Sequence, residues 1–404
     1  MAKEDLKKAQ KGKNDEFYTQ FPDIQKEINA YLEYNLDVFR NKTVLCPCDD
    51  PEWSNFTKFF AQNFETLGLK KLISTSYATT SKSLKSGYQF SNSDFLTDYE
   101  KESLQYDENK TENHGKIFIL EKDVNGNGKI DIDDLEWSYL EGDGDFRSDE
   151  VKALRDEADI IVTNPPFSLF IDFIEWIYAA NKKFLVLGNQ NAITYKEVFE
   201  KIKNNKMWIG TGLNMSVVYK TPYINEVESN RNFVIKQGYD PDDGYVKVPG
   251  IGWFTNIEHG RRHKPMELMS MSDNIKFNKP FLNLIQRKYG LSEYPVYDNY
   301  NAIEVPMAKA IPNDYMGIMG VPITFLDKYC PEQFEILGIT DRQQDYYFKT
   351  KVYTKEEYKN ANDLNRGPVI MGKNNMQVVY TRIFIRRVQD ENNTNNWFNA
   401  CQYM

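Results

Sequence analysis

The stretch Asp159-Ile160-Ile161-Val162-Thr163-Asn164-Pro165-Pro166-Phe167 decides the fold. Its apolar run reads as a buried strand. The two prolines that follow hold the backbone extended and remove its N–H donors, so the strand ends in a rigid loop. Beyond it, Leu169, Phe170, Phe173, Ile174, Ile177 and Tyr178 recur at helical spacing and predict an amphipathic helix with one buried face. Lys183 to Gly188 (KFLVLG) is a second fully apolar strand, followed by a helix that begins near Thr194. Upstream, Thr43 to Cys48 (TVLCPC) follows a helical pattern and reads as a third buried strand. Asn55 to Leu67 carries Phe56, Phe59, Phe60, Phe64 and Leu67 at helical spacing, and Lys71 to Ser74 reads as the next strand. Strand, helix, strand in this order is a βαβ unit of parallel sheet. The alternation predicts an α/β fold on an open, doubly wound Rossmann-like sheet, which binds ligands at the carboxyl ends of its strands. Both the Asn164 loop and the acidic turn after TVLCPC fall at such ends.

Two regions depart from this alternation. From about Ser81 to Asp149 the chain is acidic and rich in turns, with one strand expected at Lys116 to Leu120 and little to offer a core. Beyond about Pro265 the regular alternation is lost among Tyr, Asn and Pro, with short β-like runs at Gln377 to Tyr380 and Ile383 to Ile385. We read residues 1–265 as the sheet domain and 266–404 as a second, mixed α+β domain.

At 404 residues the chain is long enough to bury a substantial core in two domains. Cys46, Cys48, Cys330 and Cys401 are scattered without metal-ligand spacing, and no apolar leader or membrane-length run is present. The expectation is a soluble protein of a reducing cytoplasm with no membrane partner. A formal charge of -9 argues against a protein that coats nucleic acid non-specifically, because phosphate neutralisation drives such binding. The charge is uneven, however. From Ser91 to Ile160 there are 21 acids and 8 bases, whereas from Ile251 to Gly290 there are 7 Lys and Arg against 3 acids. A surface for an acidic partner belongs to the second stretch. The lysines at 3, 7, 8, 11 and 13 read as a solvated arm.

The loop itself suggests chemistry. The amide oxygen of Asn164 and the carbonyl of Pro165 are acceptors that suit an exocyclic amine, drawing electron density onto its nitrogen as that nitrogen becomes tetrahedral. Phe167 would stack on the ring that carries the amine. Without that role the loop is a rigid strand-to-helix turn with Pro at the first helical turn.

Several longer motifs accompany the loop: KNDEFYTQ (Lys13 to Gln20), VLCPCDDPEWSNF (Val44 to Phe56), GDGDFRSDEV (Gly142 to Val151), ADIIVTNPPFSLF (Ala158 to Phe170), GNQNAITYKE (Gly188 to Glu197) and WFTNIEHGRRH (Trp253 to His263). With them the chain resembles the EcoRI-type adenine-specific DNA methyltransferases, within the amino-methyltransferases that carry a [DNS]PP[YFW] loop. The resemblance spans most of the chain. It implies methyl transfer from S-adenosylmethionine to the 6-amino group of an adenine turned out of double-stranded DNA, with Asn164, Pro165, Pro166 and Phe167 as the catalytic loop. Tyr18 and Thr19 would form an aromatic-Thr cofactor motif, with Gln20 where related enzymes often have Pro. Asp49, Asp50 and Pro51 would occupy the turn after the first strand, where an acid accepts from the cofactor's ammonium group, although the Gly-rich form of that turn is absent. Asp145 would accept from the cofactor's adenine amine and Phe146 would lie near its ring. The strand ending at Ser74 lacks the acid that commonly holds the ribose. The second domain would recognise the DNA target. A cognate restriction endonuclease in a bacterial or phage-infected cell would be the natural partner.

Other signals compete. Asp123, Asn125, Asn127, Asp131 and Asp134 have the oxygen spacing of a calcium loop, but the preceding run looks like strand and NGNG is an ordinary hairpin turn. With three histidines, a His-based metal site is not expected. Arg261-Arg262-His263-Lys264 reads either as a phosphate-contacting run or as a solvated loop. Trp253 and Phe254 read either as walls for an extruded base or as core. Two rival functions stay open on the residues alone. One is methylation of RNA adenine or of a protein glutamine amide, since a planar amide suits the same acceptors. The other is a catalytically silent DNA- or calcium-binding protein.

Overall fold

The computed structural model describes residues 18–49, 54–78, 106–213, 215–220, 231–340, 349–373 and 375–388. Among them the chain forms two compact units. The first runs to Ala192 and adds Met207–Gly260; the second is Ile193–Lys206 with the chain from Arg261 onward. No helix among the described residues is long and apolar enough to cross a membrane.

The first unit is built on a ten-stranded sheet of β1 (Tyr18–Thr19), β2 (Thr43–Pro47), β3 (Lys71–Ser76), β4 (Lys116–Leu120), β5 (Glu136–Tyr139), β6 (Ile160–Thr163), β7 (Lys183–Asn189), β8 (Trp208–Ile209), β9 (Met215–Lys220) and β10 (Tyr245–Thr255). Their order is β1-β9-β10-β7-β6-β2-β3-β4-β5, with β8 on β10. The four strands read from sequence as buried are the four parallel ones: β7, β6, β2 and β3. Every residue of β2 and β6 is buried, as expected of central parallel strands covered on both faces.

One face is covered by α1 (Phe21–Tyr34) and α2 (Asn55–Gln62). There Ile24, Ile28, Tyr31, Phe56, Phe59 and Phe60 join Val44, Cys46, Leu72, Ile160, Val162 and Leu185 in one apolar cluster. The opposite face takes α3 (Phe170–Ala179), whose Phe170 ring lies 5.1 Å from that of Phe254 and whose Tyr178 ring lies 5.8 Å from that of Phe184. From β2 the chain moves outward to β3, whereas from β6 it moves the other way to β7. The strand order therefore reverses between two hydrogen-bonded neighbours, β2 and β6. This is the Rossmann-like, doubly wound arrangement, with antiparallel strands added at both flanks.

The acidic insertion is richer in core than its composition suggests. Its β4 pairs antiparallel with β3, and β5 pairs with β4, so the insertion extends the main sheet. Leu120, Leu140 and Phe146 are buried there. Its strand β4 carries no acid, and alternate residues of it face inward.

The second unit holds a four-stranded mixed sheet of β11 (Ile303–Glu304), β12 (Met319–Pro322), β13 (Phe334–Ile339) and β16 (Arg382–Arg387), in the order β11-β12-β16-β13, and a hairpin of β14 (Val369–Met371) and β15 (Met376–Val378). The helix after β7, α4 (Lys196–Lys203), packs on β13 in this unit. At its centre Glu304 is fully buried, and Arg382 reaches it with two hydrogen bonds of 2.7 and 3.0 Å. The hydroxyls of Tyr297 and Tyr289 also donate to that carboxylate.

Nearby, Lys351 donates to Asp298 at 2.9 Å and Tyr353 at 2.7 Å, and the Lys351 bond above all holds the Asp298 carboxyl below its usual range. A lowered carboxylate stabilises the fold above its unfolded value of about 3.9 and loses that contribution as pH falls through the lowered value. Asp298→Asn should therefore lower the thermal midpoint at pH 6, with the gap to the parent closing below roughly pH 4. Thermal scans across that range check it.

Candidate active site

Three of the stretches singled out in the sequence lie at the carboxyl ends of central strands: Asp49 after β2, Asn164 after β6, and the Asp145 turn against the end of β3. Asp49 follows β2 and is buried at 4% exposure. Its backbone N–H and that of Cys48 both donate to the carbonyl of Thr75 on β3. One carboxylate oxygen accepts from the Ser54 hydroxyl at 2.6 Å, and the other lies 2.5 Å from the hydroxyl of Thr163, the last residue of β6. The Thr163 hydroxyl is also 2.7 Å from the carbonyl of Pro47. Ser54 caps α2 by accepting from the Phe56 N–H at 3.1 Å. Asn55, the first residue of that helix, donates its side-chain amide to the Thr19 carbonyl at 2.7 Å. Hydrogen bonds from two successive residues at the start of α2 thus tie Thr19 on the edge strand β1 and the turn after β2 to that helix, and Asp49 ties the turn to the strand that leads into Asn164. Cys48 carries the strain of the turn, with φ of 85° on a residue other than glycine.

Asn164 leaves β6 half-buried, Pro165 is buried, and Pro166 is extended at φ -54° and ψ 121°. A 3₁₀ turn over Phe167–Leu169 then leads into α3. Phe167 is half-buried and packs against the apolar cluster under the sheet. The loop's carbonyls and amide thus issue from a strand held on both sides, which limits how far they can move.

The insertion returns to the same edge after β5. Its turn is seated on the end of β3. The Ala78 N–H donates to the Asp143 carbonyl at 2.9 Å, and a Cβ on Gly144 would overlap the Ser76 carbonyl oxygen. Gly144 has φ of 84°, so only glycine fits both the backbone and the space. Asp145 comes next, its carboxylate gripped by Arg147 through Nε at 2.9 Å and a terminal nitrogen at 2.6 Å. Phe146 is fully buried, its ring 5.1 Å from Phe173 and 5.6 Å from Trp176. The Tyr77 hydroxyl lies against Asp145, and burial, with the Cys48 and Asp145 charges, pushes that phenol well above its ordinary value.

Residues 5–388 match the family described as "Adenine-specific methyltransferase EcoRI". The chain belongs to that family. It is 40% identical over 344 residues to the type II methyltransferase M.EcoRI of Escherichia coli, covering 82% of this chain and 88% of that protein. It is 34% identical over 389 residues to a type II methyltransferase of Mycoplasma genitalium, covering 95% and 98%, and 35% identical over 334 residues to M.MpnI of Mycoplasma pneumoniae, covering 82% and 84%. No solved structure matches it.

Within this adenine-specific family member, other expected residues are placed differently from one another. Asp50, Pro51, the Tyr18 side chain and the N-terminal lysines lie outside the described residues. The Thr19 side chain is buried at 3% exposure. Trp253 and Phe254 are both buried in β10, on opposite faces of the sheet, where they pack as core.

The calcium-like loop turns its oxygens inward. Asp134 accepts from the backbone N–H groups of Val124, Asn125 and Asp131, and Asp123 accepts from those of Gly126 and Gly128. The loop is a turn between β4 and β5, with a capping box at Asp131 and Asp134. Among the described residues no three His, Cys, Asp or Glu side chains form a group able to hold a metal.

The basic run splits. Arg261 and Lys264 are exposed, whereas Arg262 is 6% exposed, donates to Asn205 at 2.9 Å and lies 5.8 Å from the Tyr329 ring. His263 pairs with Glu332 at 2.7 Å.

Sequence reasoning missed the hydroxyls of Ser54 and Thr163, the Asn55 amide, Tyr77 and Arg147. No local pattern marks Thr163 or Asn55, whose partners lie 114 and 36 residues away, whereas Ser54 sits where a helix N-cap is expected, five residues from Asp49.

Proposed function

We propose that this chain transfers a methyl group from S-adenosylmethionine to the 6-amino nitrogen of an adenine at a defined sequence in double-stranded DNA. The observation that carries the reading is the position of Asn164-Pro165-Pro166-Phe167. The loop leaves β6 where, among the described parallel strands, the order reverses, beside the acidic turn after β2, which is where open α/β sheets take their ligands.

The donor set fits a cofactor made of an amino acid joined to a nucleoside. Asp49 and the turn it braces would face the ammonium end, Thr19 would lie near the carboxylate, and Asp145 would accept from the adenine amine. Phe146 acts from below, anchoring the Asp145 turn between the rings of Phe173 and Trp176. The bound cofactor supplies an already activated methyl group on a sulfonium, so no strong base is required of the protein. The chain's own work is placement and charge. Asn164 Oδ1 and the Pro165 carbonyl accept the two hydrogens of the target amine and stabilise the positive charge that grows on its nitrogen. Phe167 stacks on the target ring, which must be turned out of the duplex to arrive there. The buried braces at Asp49 and Thr163 keep the acceptors aimed and spare the reaction a reorganisation cost.

Labelling duplex DNA with radioactive methyl donor and analysing the modified nucleosides tests the reading. The expected product is N6-methyladenine at one short motif. Methylcytosine, or label passed to RNA or protein and not to DNA, would overturn it.

DNA phosphates are taken by the exposed members of the basic stretch. Replacing Arg261 or Lys264 with Ala should flatten the dependence of log affinity on log salt by about 0.9 per lost contact. Arg262→Ala should instead lower the thermal midpoint and leave the salt slope alone, since its guanidinium is spent on Asn205 and Tyr329. A titration of DNA binding at several salt concentrations separates the two.

A further inference from the structure

Arg147 is a cation at the candidate site to which the loop chemistry gives no role. Its guanidinium engages both carboxylate oxygens of Asp145, and its own backbone N–H donates to the first of them at 2.9 Å. The same guanidinium lies 5.4 Å from the ring of Phe146, which is itself fixed between Phe173 and Trp176. Half of the Arg147 side chain is exposed, whereas Asp145 is 17% exposed. An ordinary surface ion pair holds two mobile side chains and contributes little. Here one partner is stacked on an immobile ring, and the other stands on a turn whose glycine leaves no room against Ser76. Two hydrogen bonds in a fixed fork set the plane of a carboxylate, which a single point charge does not.

We infer that Arg147 is a positioning residue, holding the Asp145 carboxylate in one orientation so that the site selects a 6-amino over a 6-oxo purine in its nucleoside cofactor. The inference rests on the proposed contact between Asp145 and the cofactor's adenine. A 6-amino group donates to a carboxylate. A 6-oxo group presents a second acceptor to it, so a carboxylate that cannot turn away rejects the oxo form, and one that can swing accommodates it.

The test is calorimetric binding of S-adenosylhomocysteine and its 6-oxo counterpart S-inosylhomocysteine to the full chain, as parent, Arg147→Met and Arg147→Lys. The thermal midpoint and DNA affinity of each are measured alongside. The parent should prefer the adenosyl form by at least roughly tenfold, Arg147→Met should bring the ratio within about threefold, and Arg147→Lys, with charge but no fork, should fall between. Thermal midpoints should stay close together. A parent ratio near one would overturn the Asp145 contact, and the inference with it. A parent preference kept intact in Arg147→Met would leave that contact standing and overturn the positioning role. Equal weakening of both ligands would show that Arg147 merely props the turn, and would overturn it as well.

Discussion

Asn164→Ala is expected to lower single-turnover methylation by a factor on the order of 100 or more while cofactor and DNA affinities change little. In the proposed reaction the amide oxygen meets an amine whose positive charge grows only as methyl arrives, so its removal would weaken the transition state and spare the ground state. Phe167→Ala should behave differently. Stacking on an extruded base contributes about 1–3 kcal/mol, so that variant should lose base capture and turnover together, and Phe167→Trp should keep much of both. Rapid-quench turnover combined with fluorescence of a 2-aminopurine target distinguishes the two patterns. A near-normal Asn164→Ala rate would return the loop to a structural turn.

The second large effect belongs to the other unit and to stability. Glu304 is fully buried and the Arg382 side chain is 8% exposed, so removing either partner strands a charge out of water. Glu304→Ala or Arg382→Met should cost about 3–5 kcal/mol in urea unfolding, whereas replacing both with apolar residues of similar volume should recover part of that loss. Arg386→Met is the control. Its partner Glu335 is half exposed, and such surface pairs contribute about 0–1 kcal/mol. Equal losses in the buried and surface variants would mean that the buried pair carries no special weight.

What could be read from sequence followed from how each signal is encoded. Strands β2, β6 and β7 were legible because strands buried on both faces write themselves as short apolar runs, and β3 (KLISTS) followed from its place after the helix; the rigid loop at Asn164 was legible because two prolines end such a run. The antiparallel flanks were less so. β4 appeared as a single strand in an acidic stretch, but its partner β5, EWSY, has a half-exposed face and no apolar run to announce it. The apolar face of α4, with Val198, Phe199 and Ile202, declares that the helix is buried but not which sheet buries it. In the same way four consecutive basic or His residues looked equivalent until a 3₁₀ turn sent Arg262 inward and left Arg261 and Lys264 outward. The brace of Asp49 by Thr163 joins residues 114 apart, and no local pattern encodes it.

The membership of Ile193–Lys206 in the second unit bears on how such proteins can be recombined. The chain passes from one unit to the other after Ala192, after Lys206 and after Gly260. A single cut near residue 260 therefore yields no self-sufficient fragment on either side. The upstream piece carries α4 as an orphan with its apolar face uncovered, and the downstream piece exposes the β13 surface that α4 covers. Expression of either piece should give aggregated protein. A chimaera that exchanges the second unit between relatives must transplant the 193–206 segment together with everything from Arg261 onward, a graft with three seams where a contiguous domain would need one.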